Sequence, residues 1–494
     1  MLHIRTPGYP LFLVCCYYIH PTFMTVIVMQ SLLTLVTITC FIWAMSRLFP
    51  NITIAISVAL TVGFCSTTYL YHETTLLTES LFINCLVWLI IFMILALKQG
   101  HVRWWVLLSS MIALTIYVRP SGIYLIGVFT LLLVYLIVTR SSLKKIIIFC
   151  SPLAIGVLAL MSYNALIIKR FTISPFGDYN LIGATTTYMQ PNVVYPSYLN
   201  HAIEKTLQRI PKENQETVRN SWKLSALQYS FLLNYDHLHF YFYPELRKTA
   251  PYRNKSEIDL YYDLIDDSKK VFKQSISEHP ALHVKFVSSM LYQYLMCINQ
   301  KNSISYLFLA DYIGYLKSKT AGYMFVKEAK FGRLYEFYSP RANLNEIDEK
   351  LKLLDEKPFL LQLASGFDWV RSLLFENIAW LFIGLAITFY TGYQVIASRF
   401  TNTNALLVFC IISLNWLGAI LNSLVMIGTI RYASTTHFTY YLSLSLIGLL
   451  IPAEGVGKVW FLKQRGKLSI KKELPPNVQD RVSTPTKAIK KRKK

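Results

Sequence analysis

The sequence predicts an all-α polytopic membrane protein, and three features of its composition support this fold class. Hydrophobic residues make up 54% of the 494 residues and charged residues only 15%, whereas globular proteins carry charge on about a quarter of their residues. The apolar residues are gathered into runs of about 18 or more, the length that an α-helix needs to cross the hydrocarbon layer. Basic residues fall in alternate connections between these runs. A water-soluble fold cannot bury so much apolar surface.

Hydropathy predicts about nine or ten spans, depending on whether the first apolar segment crosses the membrane. The short apolar segment at 11–19 follows Pro10 and is too short to cross a bilayer unaided. We interpret it as a re-entrant or interfacial helix, with a full span as the alternative. The remaining predicted spans cover residues 22–46, 52–70, 77–97, 104–118, 121–139, 146–167, 374–396, 404–429 and 435–453.

The basic connections predict the orientation of these spans. Arg47, the Lys98 and Arg103 turn, residues 140–145 and Arg399 all fall on one side, which the positive-inside rule assigns to the cytoplasm. The sequence therefore predicts four parts: an N-terminal transmembrane bundle at 1–167, a mostly helical extracytoplasmic domain at 168–370 inserted before the last three spans, C-terminal transmembrane helices at 371–457 and a basic, disordered cytoplasmic tail at 458–494.

The net charge of +22 does not predict nucleic-acid binding. Much of the excess lies in short loops and in the tail, where basic residues act as topology signals and attract anionic membrane lipid. Among the eight cysteines, only Cys297 lies in the large hydrophilic region, so the sequence predicts no disulfide framework there. No metal-ligand spacing and no cofactor motif is convincing, and a need for a divalent metal stays open.

Three arginines, Arg5, Arg119 and Arg431, occur at span ends on the side where arginine is disfavoured. A guanidinium group matches a phosphate with two parallel hydrogen bonds, so several arginines converging on one site would hold a lipid-linked phosphate. The alternative is that each arginine only extends its head from a helix end into water.

Glu79 is the sharpest acidic candidate because it lies just inside an otherwise apolar span, where a carboxylate is costly. It could orient a sugar, act as a general base or pair with one of the arginines; a buried ion pair that only holds two spans together is the structural alternative. His72 and Glu73, in the loop before it, are weaker candidates.

Four short stretches resemble one family of enzymes. Residues 5–13, Arg-Thr-Pro-Gly-Tyr-Pro-Leu-Phe-Leu, resemble a stretch near the start of GT-C membrane glycosyltransferases, in the branch of protein O-mannosyltransferases and lipid A aminoarabinose transferases. Residues 76–82 and 118–122 resemble the Thr-Glu and Arg-Pro stretches of that branch, and Arg431-Tyr432 resembles its late Arg-Tyr pair. The four stretches occur in the family's order and on one predicted face of the membrane.

This resemblance implies a GT-C-like helical bundle that takes a sugar from a polyprenyl-phosphate-linked donor and transfers it, with inversion, to an extracytoplasmic acceptor. The acceptor would be a protein, lipid A or another glycan, and the location a bacterial inner membrane. The residues and the resemblance together give two catalytic candidates, Glu79 and Glu73, and no metal ligand. They also give six candidate substrate-binding residues: Arg5, Tyr9, His72, Arg119, Arg431 and Tyr432.

The chain departs from the family pattern at its start. The resemblance implies an earlier span and an extracytoplasmic loop with an aspartate or acidic pair ahead of the Pro-Gly-Tyr-Pro stretch, whereas the sequence begins at Met1. We expect a start further upstream, and the alternative is an inactive homologue. A transporter or flippase of lipid-linked glycans is a further alternative, although no paired halves with broken spans occur. A glycan polymerase or ligase would lack the four stretches.

Overall fold

The computed structural model describes residues 6–49, 78–174, 185, 188–209, 242–255, 257–296 and 378–425, together with positions 438–440, 442–443, 445–446 and 450. All regular structure in these residues is helical. Several of the helices are apolar enough to cross a membrane. The predicted fold class is therefore confirmed: the chain is an all-α polytopic membrane protein.

The described membrane helices fall into two groups along the chain. The first group consists of α1 (Gly8–Ile19), α2 (Phe23–Leu48), α3 (Thr78–Gln99), α4 (Val102–Val118), a 3-10 turn (Pro120–Tyr124), α5 (Leu125–Val138) and α6 (Leu143–Ile168). Between the two groups lie α7 (Ser197–Arg209), α8 (Tyr243–Lys248), α9 (Glu257–Glu278) and α10 (Pro280–Met296). The second group consists of α11 (Ile378–Ala397) and α12 (Thr403–Val425).

Five helices in the described part of the chain are long and apolar enough to span a bilayer: Thr25–Leu48, Thr78–Gln99, Pro120–Val138, Leu143–Ile167 and Thr403–Leu424. They coincide with predicted spans. The apolar helices α1, α4 and Leu381–Ala397 of α11 are shorter, and α1 covers the short segment expected at 11–19. The predicted span at 52–70 and most of the one at 435–453 lie outside the described residues.

Local signals set where these helices begin and end. Thr22 caps α2 by accepting a hydrogen bond from the backbone N–H of Thr25, and Ser142 caps α6 by accepting one from Lys145. α3 ends at Gln99, directly before Gly100, which has a φ of +69° that glycine adopts without strain. α4 ends at Val118, two residues before Pro120, because the ring of a proline disfavours helical backbone at the preceding residue, here Arg119.

The two ends of the membrane bundle differ in charge. At one end the Lys98 ammonium lies 5.1 Å from the ring centre of Phe49 and donates a hydrogen bond to Asn404. The end of α3 therefore meets the end of α2 and the start of α12. This cation-rich end carries basic residues in the terminal turns of helices or just after them: Arg47, Lys98, Arg103, Arg140, Lys144, Lys145 and Arg399. Glu79 and Arg119 lie at the opposite helix ends.

Helix α3 is the centre of the first group. Almost every residue from Glu79 to Leu97 is buried, and the helix packs against α2, α4 and α12. A helix that is apolar all round and covered on several sides is typical of the middle of a membrane bundle. By contrast α6 keeps long apolar side chains such as Ile155 and Leu166 exposed, as a lipid-facing helix does.

Helices α7, α8 and α9 form their own small core. Its buried members are Met189, Tyr195, Leu199, Ala202, Ile203, Phe242, Tyr243, Leu246, Tyr252, Leu264 and Val271. Beside it, the buried Asp267 carboxylate accepts hydrogen bonds from the hydroxyls of Tyr198, at 3.0 Å, and Tyr252. These two bonds connect α7 and the loop after α8 to α9. The described residues of the predicted 168–370 domain are thus largely helical, while the domain boundaries stay a prediction.

Two contacts join this core to the membrane helices. Arg170, directly after α6, forms a two-fold ion pair with Asp266 of α9, with both N–O distances 2.9 Å. Helix α10 packs against both α9 and α12. In turn, α12 packs against the Pro120–Tyr124 turn, so the contacts run without interruption from α9, in this core, to the turn that follows Arg119.

The acid stability of this core should depend on Glu245. Its carboxylate is only 6% exposed and lies 2.9 Å from the Lys248 ammonium and 2.6 Å from the Arg209 guanidinium. The hydrogen bond from Lys248 is the main cause that lowers the pKa of Glu245 below its usual value, and the nearby charges of Lys248 and Arg209 act in the same direction. A lowered pKa adds stability above the unfolded value of about 4.3, and this stability is lost as the pH falls through the folded value.

We therefore expect Glu245→Gln to lower the unfolding free energy by about 1 kcal/mol at pH 7 and to have a smaller effect near pH 3. Thermal unfolding of the detergent-solubilised protein between pH 3 and 8 measures this. Glu204→Gln is the matched control, because Glu204 is an exposed carboxylate on α7. An equal loss for both variants at all pH values would contradict the assignment.

Candidate functional site

Glu79 lies in the first turn of α3 and is completely buried, with 0% of its surface exposed. Its Oε1 atom is 3.6 Å from Nη1 of Arg119, and the Thr78 hydroxyl lies 3.4 Å from its Oε2 atom. A carboxylate at this position also faces the positive end of the helix dipole. The sequence predicted the cost of an acid inside this span, and the structure shows how that cost is offset: an arginine from the next helix lies against it.

Arg119 reaches Glu79 because of the proline that follows it. Its backbone is extended, with φ −150° and ψ 125°, the conformation that a following proline favours. Its N–H still donates to the carbonyl of Thr115 at 3.0 Å, and its own carbonyl accepts from the N–H of Gly122 at 2.9 Å. The backbone of Arg119 is therefore fixed on both sides. Only 8% of the residue is exposed.

Two aromatic rings support the guanidinium group. Its central carbon lies 5.5 Å from the ring centre of Phe82, within the range of a cation–π interaction. Phe82 in turn contacts Tyr124 edge to face, with ring centres 6.4 Å apart. Both aromatic residues are buried. Phe82 is three residues after Glu79 and so lies on the same face of α3, whereas Tyr124 comes from the turn after Arg119.

Helix α1 packs against the last turn of α4, immediately before Arg119. A Cβ atom on Gly8 would lie 2.6 Å from the carbonyl oxygen of Tyr117 and 2.7 Å from the nitrogen of Val118. Only a glycine permits this approach. On the same helix α1, the buried Tyr9 donates a hydrogen bond from its hydroxyl to Oε1 of Gln30 on α2, at 3.2 Å. The Pro-Gly-Tyr-Pro stretch therefore lies directly beside the Arg-Pro stretch.

The structure brings together part of the site that the sequence predicted. Glu79 and Arg119 form an ion pair, and Tyr9 lies on the neighbouring α1 with its hydroxyl directed at α2. The other predicted site residues, Arg5, His72, Glu73, Arg431 and Tyr432, lie outside the described residues. Sequence reasoning missed Phe82, Tyr124 and Gln30. The spacing from Glu79 could have indicated Phe82, but no local signal marks the other two.

The pair can act on an anionic ligand through Arg119. A guanidinium group carries five N–H donors in a planar fork, more than one carboxylate can accept, and phosphate oxygens match that fork. A dry, apolar setting strengthens such contacts because little water competes for them. In the described part of the chain no cluster of three or more histidine, cysteine or acidic residues could hold a metal ion. The chemical group that the described geometry offers to a ligand is the guanidinium of Arg119, which is held in position by its backbone and by Glu79.

A comparison with protein families gives a match that covers the Glu79–Arg119 pair. Residues 5–166 match the family model of dolichyl-phosphate-mannose-protein mannosyltransferases. The predicted GT-C resemblance is confirmed. The matched part of this mannosyltransferase-like chain contains Gly8, Glu79 and Arg119, and it ends before α7. Neither the curated proteins nor the solved structures provide a significant match.

The family supports a coarse functional statement. The match supports a mannosyltransferase-like glycosyltransferase of the GT-C type in the membrane. A lipid-linked sugar donor and an extracytoplasmic acceptor are what this family implies in general. Three of the four stretches that carried the predicted resemblance lie inside the matched residues, at 5–13, 76–82 and 118–122. The late Arg431-Tyr432 pair lies beyond them.

Removal of one partner of the buried pair should destabilise the protein strongly, because the other charge is then left unpaired in an apolar site. We expect Glu79→Ala to lower the unfolding free energy by about 3–5 kcal/mol, because a guanidinium then remains in an apolar site without its carboxylate. The double variant Glu79→Leu/Arg119→Met, which fills the site with apolar side chains, should unfold near the wild-type temperature. Thermal unfolding in detergent distinguishes the two.

Arg170→Met is the matched control for this comparison. Arg170 pairs with Asp266, but their side chains are 27% and 58% exposed, so its removal should cost only about 0–1 kcal/mol. A Glu79→Ala protein as stable as Arg170→Met would show that the Glu79–Arg119 contact does not form in the folded protein.

Proposed function

We propose that this protein transfers a sugar from a polyprenyl-phosphate-linked donor to an acceptor at the extracytoplasmic surface of the membrane, with inversion at the anomeric carbon. The observation that carries the proposal is the Glu79–Arg119 pair, buried at one end of two membrane helices inside the stretch that matches the mannosyltransferase family. A lipid-linked phosphate arrives at this depth from the bilayer, and a cation at a helix end can meet it there.

The proposed chemistry is a single displacement. A hydroxyl or amine of the acceptor attacks the anomeric carbon, the bond between that carbon and the phosphate oxygen breaks, and the lipid phosphate leaves with the bonding electrons. Arg119, together with Arg5 and Arg431, would stabilise the charge that develops on the leaving phosphate. Tyr9, His72 and Tyr432 are the further residues that we propose to line the substrate site.

A general base takes the proton of the acceptor in this displacement, and we propose that it is a carboxylate. Glu79 and Glu73 are the two candidates. The position of Glu79, fully buried against Arg119, favours a role in which it orients the guanidinium. Glu73, six residues earlier in the chain, is then our proposed general base. A carboxylate near the sugar would also stabilise the positive charge that develops on the ring.

The proposed location follows from the charges of the two helix ends. We propose that the cation-rich end faces the cytoplasm of a bacterium and that the large domain, the Glu79–Arg119 pair and the acceptor lie on the opposite side of the inner membrane. Protein, lipid A and another glycan are the proposed acceptor classes, which correspond to protein glycosylation and lipopolysaccharide modification. The donor tail would lie in membrane lipid beside the bundle.

The orientation can be tested by thiol labelling in a variant without native cysteines. We expect Thr172→Cys, in the loop after α6, to react with a membrane-impermeant maleimide in intact spheroplasts. Ser141→Cys, between α5 and α6, should react only after the membrane is opened, and it serves as the matched control. The reverse pattern would place the proposed site on the cytoplasmic side and contradict the proposal.

The activity can be tested in membranes supplied with a radiolabelled polyprenyl-phosphate sugar. We expect Arg119→Ala to reduce transfer by about 100-fold or more, the usual effect of removing a group that stabilises charge in the transition state. The stable double variant Glu79→Leu/Arg119→Met should be equally inactive, whereas Arg170→Met should transfer sugar normally. Full transfer by the double variant would leave the pair with a purely structural role. Translocation of the labelled lipid without transfer would support a flippase instead.

A further inference from the structure

The first four helices form a closed ring, because each helix is joined to the next and the last returns to the first. The joining contacts are Tyr9–Gln30 between α1 and α2, Thr34–Asn84 and Thr37–Trp88 between α2 and α3, Glu79–Arg119 between α3 and the end of α4, and Gly8 against Tyr117 and Val118 between α4 and α1. The proposed site occupies one join of this ring. The geometry at that join therefore depends on the other joins.

The join between α2 and α3 is polar, although it lies within two membrane spans. The side-chain nitrogen of Asn84 donates to the hydroxyl oxygen of Thr34 at 2.8 Å and to the carbonyl of Ser80 at 3.0 Å. One turn further along α3, the indole N–H of Trp88 donates to the hydroxyl oxygen of Thr37 at 3.0 Å. Asn84, Thr34 and Thr37 are all buried. A hydrogen bond between membrane helices contributes about 0.6 kcal/mol to stability on average. This contribution is small, so the bonds matter more for the position of α3 than for the stability of the fold.

The spacing of these residues fixes the rotation of α3. Asn84 and Trp88 are four residues apart and lie on one face of α3, while Thr34 and Thr37 are three apart and lie on one face of α2. Two hydrogen bonds at successive turns hold α3 against both rotation about its axis and sliding along α2. Glu79 is five residues before Asn84, so it projects about 140° away around the helix, toward α4.

A small rotation would be enough to separate the ion pair. The side-chain surface of a helix lies about 5–6 Å from its axis. A turn of α3 by about 30° would therefore move the Glu79 carboxylate by about 3 Å, which is comparable with the whole 3.6 Å separation from Arg119. Because the backbone of Arg119 is fixed by Thr115 and Gly122, it is the setting of α3 that decides whether the two charges meet.

We propose that Thr34 and Asn84 are positioning residues of the glycosyltransferase site: their hydrogen bond sets the rotation of α3 and thereby holds Glu79 against Arg119. The effect on transfer rests on the proposed function. The effect on the ion pair does not, because it concerns only the geometry of the folded protein. These two consequences can be measured separately.

The kinetic test uses Thr34→Val, which removes the hydroxyl and keeps the shape of the side chain. We expect the kcat of sugar transfer to fall about 10-fold to 100-fold, the size of effect that a misplacement of about 1 Å can cause, with little change in the KM of the acceptor. Thr34→Ser, which keeps the hydroxyl, should restore transfer. The matched control is Thr39→Val, because the Thr39 hydroxyl lies on the exposed face of the same helix and donates only to the Leu35 carbonyl.

The structural test is a double-mutant cycle on thermal unfolding, and it needs no activity. In the wild-type and Thr39→Val proteins, Glu79→Ala should lower the unfolding temperature by the same large amount. In the Thr34→Val protein the further loss caused by Glu79→Ala should be clearly smaller, because the pair is already misaligned. Distant, independent sites would instead give additive losses.

The outcomes separate the two proposals. Additive losses in the thermal cycle would overturn the positioning role, whatever the activity. A wild-type protein that transfers no sugar would overturn the proposed function, while a non-additive cycle would still support the role of Thr34 and Asn84 in holding the pair. If Thr34→Val transferred sugar as fast as Thr39→Val, the inference would be wrong even with an active enzyme.

Discussion

A carboxylate and a guanidinium paired inside a membrane bundle are the constraint on which the rest of this structure depends. In the described membrane residues 6–49, 78–174 and 378–425, Glu79 is the only acidic side chain. Neither charge is tolerable in an apolar site without the other. The helices that carry Glu79 and Arg119 must therefore be held in one relative setting, and the close approach of α1, the proline after Arg119 and the polar join of α2 and α3 all contribute to that setting.

The stretches that resemble the mannosyltransferase family contain residues that shape the backbone as well as residues that carry reactive or charged groups. Gly8 allows α1 to approach the backbone of α4, and Pro120 ends α4 so that Arg119 is extended. Neither residue can bind a substrate through a functional group. Short motifs of this kind therefore indicate the backbone geometry around a site. A charged residue next to such a glycine or proline, as Arg119 is, has its position fixed by that backbone.

Much of the fold and part of the site could be predicted from the sequence. Long apolar runs fix helices because a backbone in lipid must satisfy its own hydrogen bonds, so α2, α3, α5, α6 and α12 appear where hydropathy places them. Glu79 and Arg119 stood out because each is costly at its position. Their pairing, by contrast, is a contact between residues 40 positions apart, and no local pattern encodes which of several arginines would meet the acid.

The contacts that sequence reasoning missed share a physical cause. Gln30, Thr34 and Thr37 are ordinary polar residues in an apolar run of α2. Only the structure shows that they accept hydrogen bonds from the neighbouring helices α1 and α3. Asp267 is one of several acids in a charged helix, yet two tyrosine hydroxyls from distant segments make it the buried one. In each case the chemistry of the residue was visible, and the tertiary neighbour that gives it a role was not.

Helix α10 bridges the core formed by α7, α8 and α9 and the membrane bundle. This helix contacts α9 on one side and α12 on the other, and α12 contacts the turn that follows Arg119. A displacement of α10 would therefore be passed to α12 and, through it, to the Pro120–Tyr124 turn and the backbone of Arg119.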